Sequence, residues 1–320
     1  MKTCYTHLRT LALSITTLLS VSASAQTWDT VGSGTDKAIY ALYTNGGKLY
    51  AGGSFTTAGG VSAGRIAQWN GNVWSALGTG INNAGVYSLN LIGSNLYAAG
   101  FFNKAGGKSV NNIASWNGAS WKALGSGTNL VIYATATNGT DLYVGGGFDS
   151  AGGKPAGFVA MWNGSKWSAL GKGTNGYVQA MTFFEGNLYV GGTFDSAGGA
   201  PAQGIAMWNG LAWSPVGSGV NGFVSALTSY NSALYIGGNF NQVGGSIPAS
   251  NIARWDGLAW STLGNGINGT VESLIPFNGS IYAGGKFTMA GTIAANNIAS
   301  WDGVTWTALG SGTDNSVLAM

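Results

Sequence analysis

Histidine and cysteine each occur once in the 320 residues, as His7 and Cys4. Both fall within the first 25 residues, where Lys2 and Arg9 precede or flank an apolar stretch from Leu11 to Val21, followed by Ala23, Ser24 and Ala25. A basic region, an apolar region and small residues in that order are the features of a secretory signal peptide. The apolar stretch is about half the roughly 20 residues that a membrane-crossing helix needs. Residues 1–25 are therefore expected to be a leader, and residues 26–320 a secreted chain with no transmembrane segment.

That chain would lack both residue types. Internal disulfides, Ser-His-Asp and Cys-His nucleophile systems, and zinc or copper held by His or Cys are all excluded. No cofactor is expected. Charge is scarce as well, at 7% of the chain against an average of about 25%. Without Lys2 and Arg9, eleven of the thirteen basic residues face ten acids, a net charge of +1. Such a balance leaves no electrostatic footprint for nucleic acid or an anionic membrane.

Glycine and tryptophan are abundant, at 56 and 13 residues. Trp-Asn-Gly or Trp-Asp-Gly begins at Trp69, Trp116, Trp162, Trp208, Trp255 and Trp301, and a second Trp follows five residues later each time. Trp28 stands 46 residues before Trp74, so every tryptophan belongs to a repeat of 46 to 47 residues. Each unit reads as four short strands. In different units these are Val224-Ser225-Ala226-Leu227, Leu188-Tyr189-Val190-Gly191-Gly192, Ile205-Ala206-Met207-Trp208 and Trp167-Ser168-Ala169-Leu170-Gly171. Asn163-Gly164 and its counterparts should supply the positive φ of the tight turns between third and fourth strands. Strands that are apolar on both faces need cover on both, which radially stacked sheets provide. The sequence thus predicts an all-β fold, a β-propeller of four-stranded blades with six complete repeats and a partial seventh. The partial unit is inferred from residues 28–31, an orphan fourth strand, and residues 316–320, the start of another first strand. An incomplete ring, or a piece of a longer protein truncated at the C-terminus, is the expectation.

The Leu-Tyr-x-Gly-Gly strand followed by a spaced Trp resembles the kelch repeat, over about residues 28–320. With Gly-Gly-x-Phe and Trp-Asp-Gly the units also resemble secreted Bacteroidota propeller proteins and fungal cortical cell-polarity markers. The resemblance implies a propeller that binds a partner outside the cell.

Ten acids remain for chemistry. Glu185, Asp256 and Asp302 sit in turns, while Asp149 and Asp195 follow a Gly-Gly-x-Phe segment where loop capping is expected. Glu272 differs, because it occupies the variable position of a first strand whose counterparts are Tyr40, Tyr87, Tyr133, Gln179 and Ser225. Facing a central channel, these six would suit a sugar or peptide; packed between blades, they would be structural. Loops on the long-loop side add Lys104, Lys108, Lys154 and Asp195, which vary between units. The expected function is non-enzymatic binding of a glycan, a protein or a cell-surface partner by a monomeric propeller. The alternatives are a glycan-active enzyme using Glu272 with a second carboxylate, or a structural module of a longer surface protein.

Overall fold

A computed structural model describes residues 29–320; the expected leader, with Cys4 and His7, and Trp28 of the orphan strand lie outside them. Among the described residues every helix or strand assigned is a strand, so none is a helix able to cross a membrane. Six four-stranded antiparallel sheets follow one another, each with its main strands paired in chain order. Blade 3 is typical, with Ile132–Thr137, Leu142–Gly146, Val159–Trp162 and Trp167–Ala169. The chain is an all-β, six-bladed propeller. Residues 316–320 lie in no strand, so the expected partial seventh repeat adds no sheet to the six.

The turn between third and fourth strands departs from the expectation in one respect. Only its glycine has positive φ, 89° at Gly164. Asn163 acts through its side chain instead, Oδ1 accepting the backbone N–H groups of Ser165 and Lys166 at 3.1 and 2.9 Å. A short carbonyl side chain thus replaces a backbone acceptor. Asp256 and Asp302 make the same pairs of bonds, and these N–H donors hold both carboxyls below the usual range.

On the opposite face, the loop from second to third strand folds into a two-residue hairpin, such as Lys104–Ala105 with Lys108–Ser109 in blade 2. One side chain at each blade entrance pins it. Asn82 Oδ1 accepts from the N–H groups of Asn103 and Lys104, and Asn129, Asn175, Asn221 and Asn268 repeat the device. Asp36 does so in blade 1, where the Thr57 and Thr56 donors keep its carboxyl far below normal.

The core is a series of layers between neighbouring sheets. Its inner contact is glycine against valine. A Cβ on Gly52, Gly145, Gly191 or Gly237 would strike Val86, Val178, Val224 or Val271 of the next blade, while blade 2 has Ala99 at this place, packed with Ile132. The outer contact is the paired tryptophans, whose ring centroids lie 5.1 to 5.6 Å apart. The second Trp of the pair donates its Nε1–H to a carbonyl of the preceding blade, Trp121 to Leu77 at 2.9 Å and Trp167 to Leu124 at 2.8 Å. Trp260 departs from this: Pro215-Val216 replaces Ala-Leu in the blade before it, and its Nε1 is buried without a partner among the described residues.

Candidate functional site

Every first strand carries a β-bulge at the same point, and the extra residue is the variable one. Pairing in blade 1 skips from Ile39 to Ala41, and the other blades skip at Tyr87, Tyr133, Gln179, Ser225 and Glu272. A bulged residue has no ladder partner, and the local kink re-aims its side chain. Here the six turn into the central channel. Together with Leu318 they line a cavity of about 370 Å³, and with the next residues along the same strands, Ala134, Ala180 and Ala226 among them, they line a second of about 210 Å³. The bulges stand at the N-terminal ends of the first strands, so the mouth opens on the face of the hairpin loops.

The ring has two unlike halves. Tyr40 and Tyr87 have ring centroids 5.2 Å apart, and Tyr87 and Tyr133 5.9 Å. The row then leaves the channel: Tyr133 meets Tyr177 at 6.4 Å, and Tyr177 meets Phe158 at 5.8 Å. Tyr177 is 51% exposed. Burial, reinforced by neighbouring phenols, raises the pKa of Tyr87 and Tyr133, so both are neutral at physiological pH. The arc from Tyr40 to Phe158 is a continuous aromatic surface. The other half is polar, formed by Gln179, Ser225 and Glu272. Ser225 Oγ donates to Val271 O at 2.6 Å, whereas Gln179 Oε1 is buried with no hydrogen-bond partner among the described residues. Burial pushes the Glu272 carboxyl up.

Sequence reasoning found the six bulge positions and missed Tyr177 and Phe158. Phe158 did leave a trace. Its φ is 62°, and its counterparts Asn112, Asn251 and Asn297 have 63°, 64° and 66°, with Gly204 at 68°. A bulky ring in a left-handed position signals strain, and only comparison of the repeats position by position exposes it.

The loop candidates do not join this ring. Lys104, Lys108, Lys154 and Asp195 are exposed at the hairpins of blades 2, 3 and 4, and none lines either channel cavity. Lys108 Nζ donates to Trp121 O at 3.3 Å, and Asp195 accepts from Asn175 Nδ2 at 2.6 Å. Asp149 accepts likewise from Asn129, the loop-capping geometry. A larger cleft, about 690 Å³, opens between blades 5 and 6. Its amides are already engaged, Asn251 by Phe240 N–H and Ile267 O, Asn268 by the N–H groups of Thr288 and Met289. The channel mouth thus combines an aromatic face with a polar one in which Gln179 Oε1 has no partner among the described residues.

A β-propeller with a channel-mouth site is the class that this geometry defines. The family model of the Rax2 C-terminal beta propeller domain matches residues 169–317. No curated protein matches the sequence. Among solved structures, the fold is similar to an extracellular domain from B. thetaiotaomicron, described as part of a hybrid two-component system, with TM-score 0.62 and 13% identity over 92% of this chain. The present chain spans 37% of that one. It is also similar to the computationally designed Ika8 protein, with TM-score 0.56 and 16% identity over 90% of this chain and 91% of that one. A chain of the Mitotic Checkpoint Complex gives TM-score 0.56 at 14% identity, over 98% and 92%. At such identities the likeness shows the propeller fold; the kelch resemblance rests on the repeat residues alone.

Proposed function

We propose that this chain is a non-enzymatic, extracellular binding propeller whose ligand is a neutral saccharide held at the channel mouth. The observation that carries this is the aromatic arc facing polar groups across one cavity. Sugar rings offer an apolar C–H face and a rim of hydroxyls. Tyr40, Tyr87 and Tyr133 suit the first, and Gln179, Ser225 and Glu272 suit the second, since a buried acceptor left unpaired gains most from a new donor. Tyr177 and Phe158 would carry further sugar units out across blades 3 and 4. The family likeness and the extracellular neighbour agree with a role outside the cell. Hydrolysis of a glycan ordinarily takes two carboxylates flanking the bond, and Glu272 is the one acid lining the channel cavities among the described residues.

The test is a glycan array, followed by titration of the hits and an assay for their turnover. Tyr87→Ala is expected to weaken binding by about two- to tenfold, since aromatic contacts are worth roughly 0.5–1.5 kcal/mol beyond their buried area and 1.4 kcal/mol is tenfold. Undiminished affinity in both Tyr87→Ala and Tyr133→Ala would overturn the site, and turnover lost in Glu272→Gln would establish the enzyme instead.

A further inference from the structure

The six blades do not close on themselves. Successive first strands pack in pairs from blade 1 through blade 6, but the first strands of blades 6 and 1 share no comparable contact. Both sides of this seam are half-formed copies of the interface that the other blades complete. On blade 6, Phe277 and Tyr282 repeat the pair Phe184 and Tyr189, with centroids 6.0 Å apart against 5.6 Å. Phe184 is 5% exposed, covered by blade 5, whereas Phe277 is 59% exposed. On blade 1, Ile39 and Leu49 are half-buried, although their counterparts Val178 and Leu188, like those of the remaining blades, are fully buried.

The two ends of the described chain already sit in this seam. Val31 O accepts from Trp74 Nε1 at 2.9 Å, as Leu77 O does from Trp121, and Gly32 lies against Trp69 and Trp74 as Gly78 lies against Trp116 and Trp121. Residues 29–32 thus hold the place of the end of a fourth strand. At the other end, Thr313 N–H donates to Asn296 O and Thr313 O accepts from Asn297 Nδ2, as Thr128 does with Asn111 and Asn112. Val317 lies on Gly284 as Val271 lies on Gly237, and Leu318 takes the seventh place around the channel. Residues 313–320 hold the place of a first strand.

We propose that the seam is a seventh blade position, with residues 313–320 innermost and residues 29–32 outermost, and that it takes a β-hairpin that residues 29–320 do not supply. The hairpin has the chemistry of this repeat's own second and third strands. Five completed interfaces in the same molecule specify what fits: a small residue opposite Ile39, alanine as Ala99 is against Ile132 or glycine as Gly145 is against Val178, a tyrosine strand, and an Ile-Ala-x-Trp strand bonded to it. Main-chain hydrogen bonds to residues 316–320 would supply the affinity, from groups other than Val317 N–H, which Gly285 O of blade 6 already holds.

The probe is a synthetic peptide of residues 280–301, which contains Ser280–Lys286 and Ile298–Trp301 of blade 6, titrated into the full chain by calorimetry, with a scrambled peptide as control. One-to-one saturable binding, a raised thermal midpoint, and at least tenfold weaker binding in Phe277→Asp are expected. Phe277 is exposed, so this variant should fold. Absence of saturable binding, equal binding of the scrambled peptide, or binding unaffected by Phe277→Asp overturns the proposal. So does a dimer in light scattering that Phe277→Asp dissolves, which would assign the seam to a second copy.

Discussion

Replacing Trp121 by alanine tests the outer interface between blades, because the side chain is 2% exposed and its Nε1–H donates to Leu77 O of the preceding blade at 2.9 Å. A buried aromatic removes some 150 to 250 Å² from water, a gross gain of about 4 to 6 kcal/mol at roughly 25 cal/mol per Å². Partial collapse of the cavity returns some of this, so Trp121→Ala should cost about 3 to 5 kcal/mol. Trp121→Phe keeps most of the apolar contact and leaves Leu77 O without its donor, which should cost about 1 to 3 kcal/mol. Urea unfolding followed by tryptophan fluorescence measures both, provided circular dichroism gives coincident transitions, since repeat arrays can unfold in parts. Trp213, half-buried rather than buried, should lose less on truncation than Trp121. The reasoning fails if Trp121→Ala costs under about 1 kcal/mol, or if Trp121→Phe costs as much as Trp121→Ala, for then either burial or the carbonyl bond has been misjudged.

Two further predictions concern the site. Phe158→Asn places at a left-handed position the residue type that blades 2, 5 and 6 use there, and strain of this kind is worth roughly 1 to 3 kcal/mol; thermal unfolding should show the variant at least as stable as the parent while saccharide affinity falls, and a clear loss of stability would refute the strain. Glu272 has a raised pKa in the fold because burial disfavours its charge, so its cost is absent below the unfolded value near 4.3 and fully present above the folded one; Glu272→Gln should therefore gain stability over the parent as pH rises through that window in urea titrations, and a difference independent of pH would show the carboxyl to be solvated.

Period, strand order and the placing of all six blades were legible in the sequence because they rest on residues that repeat. The tryptophan opposite Leu124 recurs in every blade, and the glycine opposite Val178 gives way only to Ala99 of blade 2, packed with Ile132, so both positions announce themselves. The ring from Tyr40 to Glu272 was legible only as a position that fails to repeat. Whether it faced the channel or a neighbouring blade depended on the bulge, and a bulge changes pairing by one residue without leaving a residue type of its own. Tyr177 and Phe158 were missed for another reason: they meet from adjacent blades, Tyr177 at the start of a first strand and Phe158 in the bend before a third, at positions where other units carry Gly85, Phe223 or Asn112. Lys104, Lys108 and Lys154 drew attention as scarce charges on long loops, yet each stays at its own hairpin.

The bulge also explains how one repeat can supply both a uniform scaffold and a site with a direction. A residue inside the ladder must pair on one edge and pack on two faces, and such positions here hold a narrow set of apolar types. The bulged residue is released from pairing and faces the axis, so exchanging Tyr for Gln, Ser or Glu leaves the interfaces intact. Sixfold repetition would otherwise produce six equal weak sites, as the clefts between blades would. Because the tyrosines occupy blades 1 to 3 and the polar residues blades 4 to 6, the mouth has one aromatic wall and one polar wall. A single ligand can satisfy both at once only in one orientation. Binding at the mouth should accordingly saturate at one ligand per chain, whereas sites in the clefts would fill in multiples.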